Sequence, residues 1–147
     1  MGIVSLYPLA EALKAKNLFV FIGGKTQGDI LCLEEFKGFN STMFIATEDG
    51  GLGFRGTVVD LFLSQRSQFK RNKKYYIYSC GPVAMLKALA GIVKFKNVIC
   101  QASLETRMGC GFGACWGCVV KTNHPQDPYR RACQEGPVFR LEDIVWE

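Results

Sequence analysis

Two rhythms of apolar and polar positions alternate along the chain. Short apolar runs closed by glycine or polar residues predict buried strands: "NLFVFIGG" (17–24), "STMFIAT" (41–47), "KKYYIYS" (73–79) and "NVICQASL" (97–104). Between them lie segments with helical spacing: "SLYPLAEALKAK" (5–16), "DILCLEEFKGF" (29–39), "TVVDLFLSQR" (57–66) and "VAMLKALAGIVKF" (83–95). Ser5 is a candidate N-cap of the first helix, with Pro8 in its first turn. Strand–helix alternation of this kind implies an α/β fold with a parallel sheet and helices on its faces, over residues 1–103. After Ser103 the rhythm stops. Residues 104–147 are rich in Gly and Cys, with only short strand-like pieces, "CVVKT" and "YRRAC". Their own apolar core is too thin for unaided folding, so a second small domain held by a metal or by disulfides is expected there.

Bulk composition adds exclusions. The 147 residues are 48% hydrophobic and 21% charged, which suits a globular chain. The net charge of +5 is mild, and its densest run, "FKRNKKYY" (69–76), reads as a solvated loop before a strand. Nucleic-acid binding would want a basic stripe with exposed aromatics, and Tyr75 and Tyr76 read as strand residues. No apolar stretch has the length of a membrane span, and no secretory leader pattern opens the chain. The expected location is cytoplasmic, without membrane or nucleic-acid partners. Seven cysteines in a reducing compartment point to metal binding or redox work, not to a disulfide framework.

Four of these cysteines carry the chemistry. Their spacing is Cys110-x4-Cys115-x2-Cys118-x14-Cys133. A C-x4-C-x2-C run with a distant fourth cysteine is the plant-type ferredoxin arrangement for a [2Fe–2S] centre. Such a cluster is net negative, and inward-turned backbone N–H groups compensate it. Gly109, Gly111, Gly113 and Gly117 permit the backbone conformations this needs, and Ala114 keeps crowding low. Structural zinc is the alternative, although it favours two C-x2-C knuckles and only Cys115 and Cys118 form one. Cys32 and Cys100 fall in apolar patterns and are expected as small core residues. His124, in the polar turn "TNHPQDP", is expected to be exposed. Trp116, inside the cysteine loop, is a docking surface for a partner subunit or a lid over the sulfurs, the lid preferred because a large aromatic there limits water access.

Three strand ends suit a nucleotide, because open α/β sheets bind ligands at the carboxyl ends of their strands. "ATEDGGLGFRG" (46–56) leaves backbone free for close approach. "SCGPVAML" (79–86) opens a helix whose free N–H groups favour an anion. "IGGKTQGD" (22–29) offers Lys25 to a ribose or phosphate.

Taken in order and spacing, "ATEDGGLGFRG", "CGPVAML" and "LETRMGCGFGACWGCVVKT…YRRACQEGPVF" resemble the electron-transfer subunit of class 1B dihydroorotate dehydrogenase, within the ferredoxin reductase superfamily. The resemblance covers essentially the whole chain. It implies a pyridine-nucleotide-binding domain (1–103) followed by a [2Fe–2S] domain (104–147). It implies Cys110, Cys115, Cys118 and Cys133 as iron ligands. Thr47, Glu48, Asp49 and Gly50, with Cys80, Gly81, Pro82 and Lys25, would line the NAD(P) cleft, Cys80 beside the nicotinamide. In the family, electrons from dihydroorotate pass from FMN in a partner catalytic subunit through the cluster to FAD and NAD, in pyrimidine biosynthesis.

The resemblance also departs from its pattern. "MGIVSLYPLAEAL" matches the family's "GGxGIxxLxPLAxxL" segment entered part-way through its glycine-rich loop. The FAD-binding barrel and the first strand of the sheet are therefore expected outside this chain. A truncated gene model, a natural split protein completed by a separate FAD-binding chain, and a sheet closed around the gap are the open accounts, the first preferred. On any of them the chain is an oxidoreductase component that is not catalytically complete by itself. Two alternatives stand beside this reading. One is an analogous subunit of a ferredoxin:NADP reductase or sulfhydrogenase, the former expected to carry an aspartate for one cluster cysteine. The other is a non-enzymatic zinc-binding interaction module.

Overall fold

In a computed structural model of the chain, residues 2–70, 72–94 and 97–146 are described. They form two compact units, 1–73 and 74–147. Arg71 of the expected basic loop and Phe95 of the fourth expected helix lie outside the described residues.

The first unit is built on β1 (Leu18–Gly24) and β2 (Ser41–Thr47), parallel and in register from Leu18 opposite Ser41 to Gly24 opposite Thr47. A two-residue strand, β3 (Phe54–Arg55), extends the sheet in the order β1-β2-β3. Strand periodicity sends alternate side chains to opposite faces. Val20 and Ile22 face one way and pack with Phe36, joined by Ile3, Tyr7 and Ala10 of α1 (Gly2–Ala12). Phe19 and Phe21 face the other way, where rings stack: Phe21 on Phe44 at 4.6 Å, and edge-on to Phe62 of α3 (Val58–Ser64) at 5.4 Å. Both faces are thus covered, as a parallel sheet requires. Thr57 caps α3 by accepting from the Asp60 N–H at 3.1 Å, while the Asp60 carboxylate accepts from the Thr57 hydroxyl at 2.6 Å. These hydrogen bonds hold the Asp60 carboxyl below its usual range.

Two sequence expectations need correction here. Helix α1 already runs from Gly2, so Ser5 lies inside it and is not its N-cap, and Pro8 sits mid-helix instead of in the first turn. The segment 29–39 yields only α2, Leu33–Lys37. Cys32 adopts a left-handed backbone (φ 63°) at its N-terminus, which breaks the longer helix that the apolar spacing suggested. Cys32 still packs against the Val20–Ile22–Phe36 core, as expected of a small core residue.

The second unit starts with β4 (Tyr75–Cys80), α4 (Val83–Ile92) and β5 (Val98–Ser103), with β4 and β5 parallel. The third strand of this sheet went unread in the sequence. It is β8 (Val138–Arg140), antiparallel to β5, with Ser103 opposite Val138 and Ala102 opposite Phe139. Leu104 N–H donates to the Pro137 carbonyl at 2.9 Å, next to this pair. Residues 104–137 therefore leave and return at one point of the sheet. Within that excursion, β6 (Val119–Lys121) and β7 (Tyr129–Arg131) form an antiparallel hairpin. It is fastened to the segment after β8 through the bridge of Thr122 with Ile144 and the Val145 N–H bond to Lys121 O (3.0 Å). Cys100, in β5, is buried, and burial pushes its thiol up to about 11. His124 is exposed, as expected. No helix among the described residues is long and apolar enough to cross a membrane.

Candidate iron–sulfur centre

The hairpin is what brings the distant cysteine home. Val119 lies opposite Arg131, so Cys118, just before β6, faces the stretch just after β7. Ala132 N–H donates to the Cys118 carbonyl at 3.0 Å, and Cys133 N–H points at Cys118 Sγ at 3.5 Å. A separation of 14 residues in sequence is thereby closed by ordinary antiparallel register.

The loop before β6 closes differently. Cys115 N–H points at Cys110 Sγ, and Gly117 N–H at Cys115 Sγ, each at 3.4 Å. Gly111 (φ 76°) and Gly113 (φ 91°) make these inward turns, as the glycine content predicted. At Gly113 a Cβ would also meet the Gln134 amide, which would have to swing aside. Trp116 takes the same left-handed region (φ 58°), where a large side chain is uncommon.

The thiols of Cys110, Cys118 and Cys133 respond to this wrapping. Backbone N–H groups, those of Cys115 and Phe112 foremost, lower the Cys110 thiol to about 6. The Cys133 backbone N–H and side chain lower Cys118, while that same side-chain contact and burial raise Cys133. The Cys110 thiol is thereby turned toward its thiolate form.

The donor set fits a two-iron cluster. Cys110 hydrogen-bonds with Cys115 and Cys118 with Cys133, so the sulfurs gather in two pairs, each with backbone N–H donors aimed at it. A [2Fe–2S] group takes two thiolates on each iron. Among the described residues, no three His, Cys, Asp or Glu side chains are grouped to hold one metal ion. All seven thiols are free.

A residue that the sequence reading passed over stands at the centre of this geometry. Arg131 Nη1 donates to the Gly113 carbonyl at 2.7 Å, and its guanidinium lies 4.7 Å over the Trp116 ring. Nη2 and Nε clasp the two carboxylate oxygens of Glu135 at 2.5 and 3.2 Å. The sequence signal was the i, i+4 spacing of Arg131 and Glu135 around Cys133. Trp116 is 51% exposed and rests on Arg131. Phe112, in the same loop, is 75% exposed.

The expected nucleotide residues fall in both units. In the first, Lys25 and the 47–50 loop meet through backbone bonds: Glu48 N–H to Gly24 O and Asp49 N–H to Lys25 O, both at 3.1 Å. Thr47 is fully buried, and its hydroxyl exchanges hydrogen bonds with the Leu52 backbone at 2.9 and 3.0 Å, which shapes the loop that carries Glu48, Asp49 and Gly50. In the second unit, Cys80 ends β4 and Pro82 stands at the N-terminus of α4. Gly81 lies between them, where a Cβ would come within 2.7 Å of Met85 Cε. The Cys80 thiol is 3.9 Å from the Glu105 carboxylate, a neighbour the sequence reading did not identify.

Comparison with known proteins places this geometry. Residues 105–145 match the family described as the iron–sulfur cluster binding domain of dihydroorotate dehydrogenase B. The chain is 40% identical over 129 residues to the dihydroorotate dehydrogenase B (NAD(+)) electron transfer subunit of Desulforamulus reducens, covering 87% of this chain and 48% of that one. It is 36% identical over 147 residues to the corresponding subunit of Caldanaerobacter subterraneus, covering 99% and 56%. A solved NADH-dependent reduced ferredoxin-NADP oxidoreductase structure, studied for flavin-based electron bifurcation, is similar with a TM-score of 0.82 at 29% identity, covering 99% of this chain and 51% of that one. The family resemblance and the ferredoxin-reductase-like α/β fold read from the sequence are borne out. The chain spans about half the length of the curated relatives it matches.

Proposed function

We propose that this chain, similar along its length to dihydroorotate dehydrogenase B electron transfer subunits, relays electrons between the FMN-containing dihydroorotate dehydrogenase catalytic subunit and FAD and NAD, in pyrimidine biosynthesis. Residues 104–147 act as its [2Fe–2S] domain and residues 1–103 as its pyridine-nucleotide-binding domain. The observation that carries this reading is the pairing of four thiols, Cys110 with Cys115 and Cys118 with Cys133, under inward-pointing backbone N–H groups.

Each part of the chain has a stated task on this reading. Cys110, Cys115, Cys118 and Cys133 hold the cluster as thiolates, and the group supplies a one-electron carrier when bound. The N–H groups of Cys115, Gly117 and Cys133 are already turned toward sulfur, so little backbone reorganisation accompanies a change of charge. Glu48, Asp49 and Gly50, with Lys25, offer a loop for the nucleotide on the first unit. Cys80, Gly81 and Pro82 offer the strand end and helix N-terminus on the second, where a dinucleotide phosphate is favoured. FAD and a separate FAD-binding partner belong to the same proposal. A second reading, an analogous subunit of a ferredoxin-NADP oxidoreductase, draws support from the similarity to that solved structure. Four cysteines in place of three with an aspartate favour the first.

The test uses the reconstituted chain mixed anaerobically with an FMN-containing dihydroorotate dehydrogenase catalytic subunit. Dihydroorotate should bleach the visible cluster bands when the catalytic subunit is present, and leave them when it is omitted. Bands that persist in both mixtures contradict the dihydroorotate assignment.

A further inference from the structure

A cluster held by four thiolates brings excess negative charge into the loop, and backbone dipoles carry only partial charges against it. Arg131 brings a full positive charge to the same loop. It is also a mechanical link. One side chain touches the Gly113 carbonyl, between the first two cysteines, and the Trp116 ring, between the second and third. Its own backbone sits in β7, two residues before the fourth cysteine, and its N–H is held by Glu135 at 2.6 Å. Gly113 and Trp116 both have left-handed backbones, so the loop needs a restraint, and Arg131 fastens it at both points. The side chain is 22% exposed and that of Glu135 30%, so solvent screens the pair only in part.

We propose that Arg131 is the positioning residue of the cluster loop: its guanidinium fork ties Gly113 and Trp116 to strand β7, and its charge, partly offset by Glu135, raises the cluster's reduction potential. The inference rests on the reading of the four cysteines as cluster ligands. The two jobs separate by substitution. Lysine keeps the charge and loses the planar fork, whereas methionine loses both. Glu135→Gln keeps arginine and removes the negative charge that offsets it.

Wild type, R131K, R131M and E135Q are reconstituted anaerobically with iron and sulfide. Iron and sulfide content, the midpoint potential by EPR-monitored titration, and the rate of iron release to a ferrous chelator are measured for each. R131M should move the midpoint negative by about tenfold in the reduction equilibrium, about 59 mV for one electron. E135Q should move it positive. R131K should keep a near wild-type midpoint but release iron about tenfold faster. R131M that takes up no cluster, while R131K and E135Q do and their shifts follow this pattern, supports the pinning role. Midpoints that stay put in every variant, or move the same way in R131M and E135Q, overturn the proposal. So does an R131K release rate equal to wild type. A wild-type chain that takes up no iron and sulfide overturns the cluster reading itself, and this inference with it.

Discussion

The β1–β2 layer of the first unit and the 110–118 loop of the second are held together by different means. In the layer, side chains do the holding: Phe36 is 1% exposed, and Phe19, Phe21, Phe44 and Phe62 stack on the opposite face. The backbone bonds of the two strands follow from a register that those side chains require. In the loop the roles are reversed. Phe112 and Trp116 point largely to solvent, and the ordering bonds are backbone N–H groups to sulfur and one arginine to a carbonyl. A structure made by apolar burial is complete without a ligand. A structure made by N–H groups gathered around sulfur leaves donors that only an anionic group satisfies fully.

That contrast breaks most sharply at two phenylalanines. Phe36→Ala should cost about 3–5 kcal/mol, because it empties a fully buried ring site between β1, α1 and α2. Phe112→Ala should change stability by less than about 0.5 kcal/mol. Chemical denaturation of both variants measures the difference, and equal costs would erase the distinction between the two regions.

The cysteines sharpen the comparison next. Cys100 belongs to the packed kind, with its thiol raised from 9.0 to about 11 by burial. Its folded value lies above its unfolded one, so the stabilisation is fully present below about pH 9 and lost as pH rises toward 11. The loss amounts to about 3 kcal/mol at most. Cys100→Ala should flatten the stability–pH curve across that window, measured as the difference between variant and wild type so that other titrating groups cancel. A curve of unchanged slope would show that the thiol is not desolvated as the fold places it.

How far the sequence could be read follows the same divide. Period-two and helical spacing exposed β1, β2, β4, β5, α3 and α4, because each buries a periodic apolar face. Helix α2 was overestimated, since local spacing cannot report a left-handed turn at Cys32. Strand β8 is not legible locally: its three residues follow a loop, and its pairing with β5 is set 35 positions away at Ser103–Val138 and 39 at Gln101–Arg140. The four cysteines were legible because their spacing is itself the chemical signal. Arg131 and Glu105 were not, because each acquires its role only when the hairpin or the β4–β5 pair brings it beside a cysteine.

The central claim is that these four cysteines hold one [2Fe–2S] cluster. Its most direct measurement is an anaerobic visible and low-temperature EPR spectrum of the reconstituted chain, before and after dithionite, with iron, sulfide and zinc analysis of the same sample. Visible bands that bleach, with a rhombic signal from one reduced two-iron centre and equal iron and sulfide, are the predicted result. A colourless, EPR-silent protein that carries zinc without sulfide would contradict it.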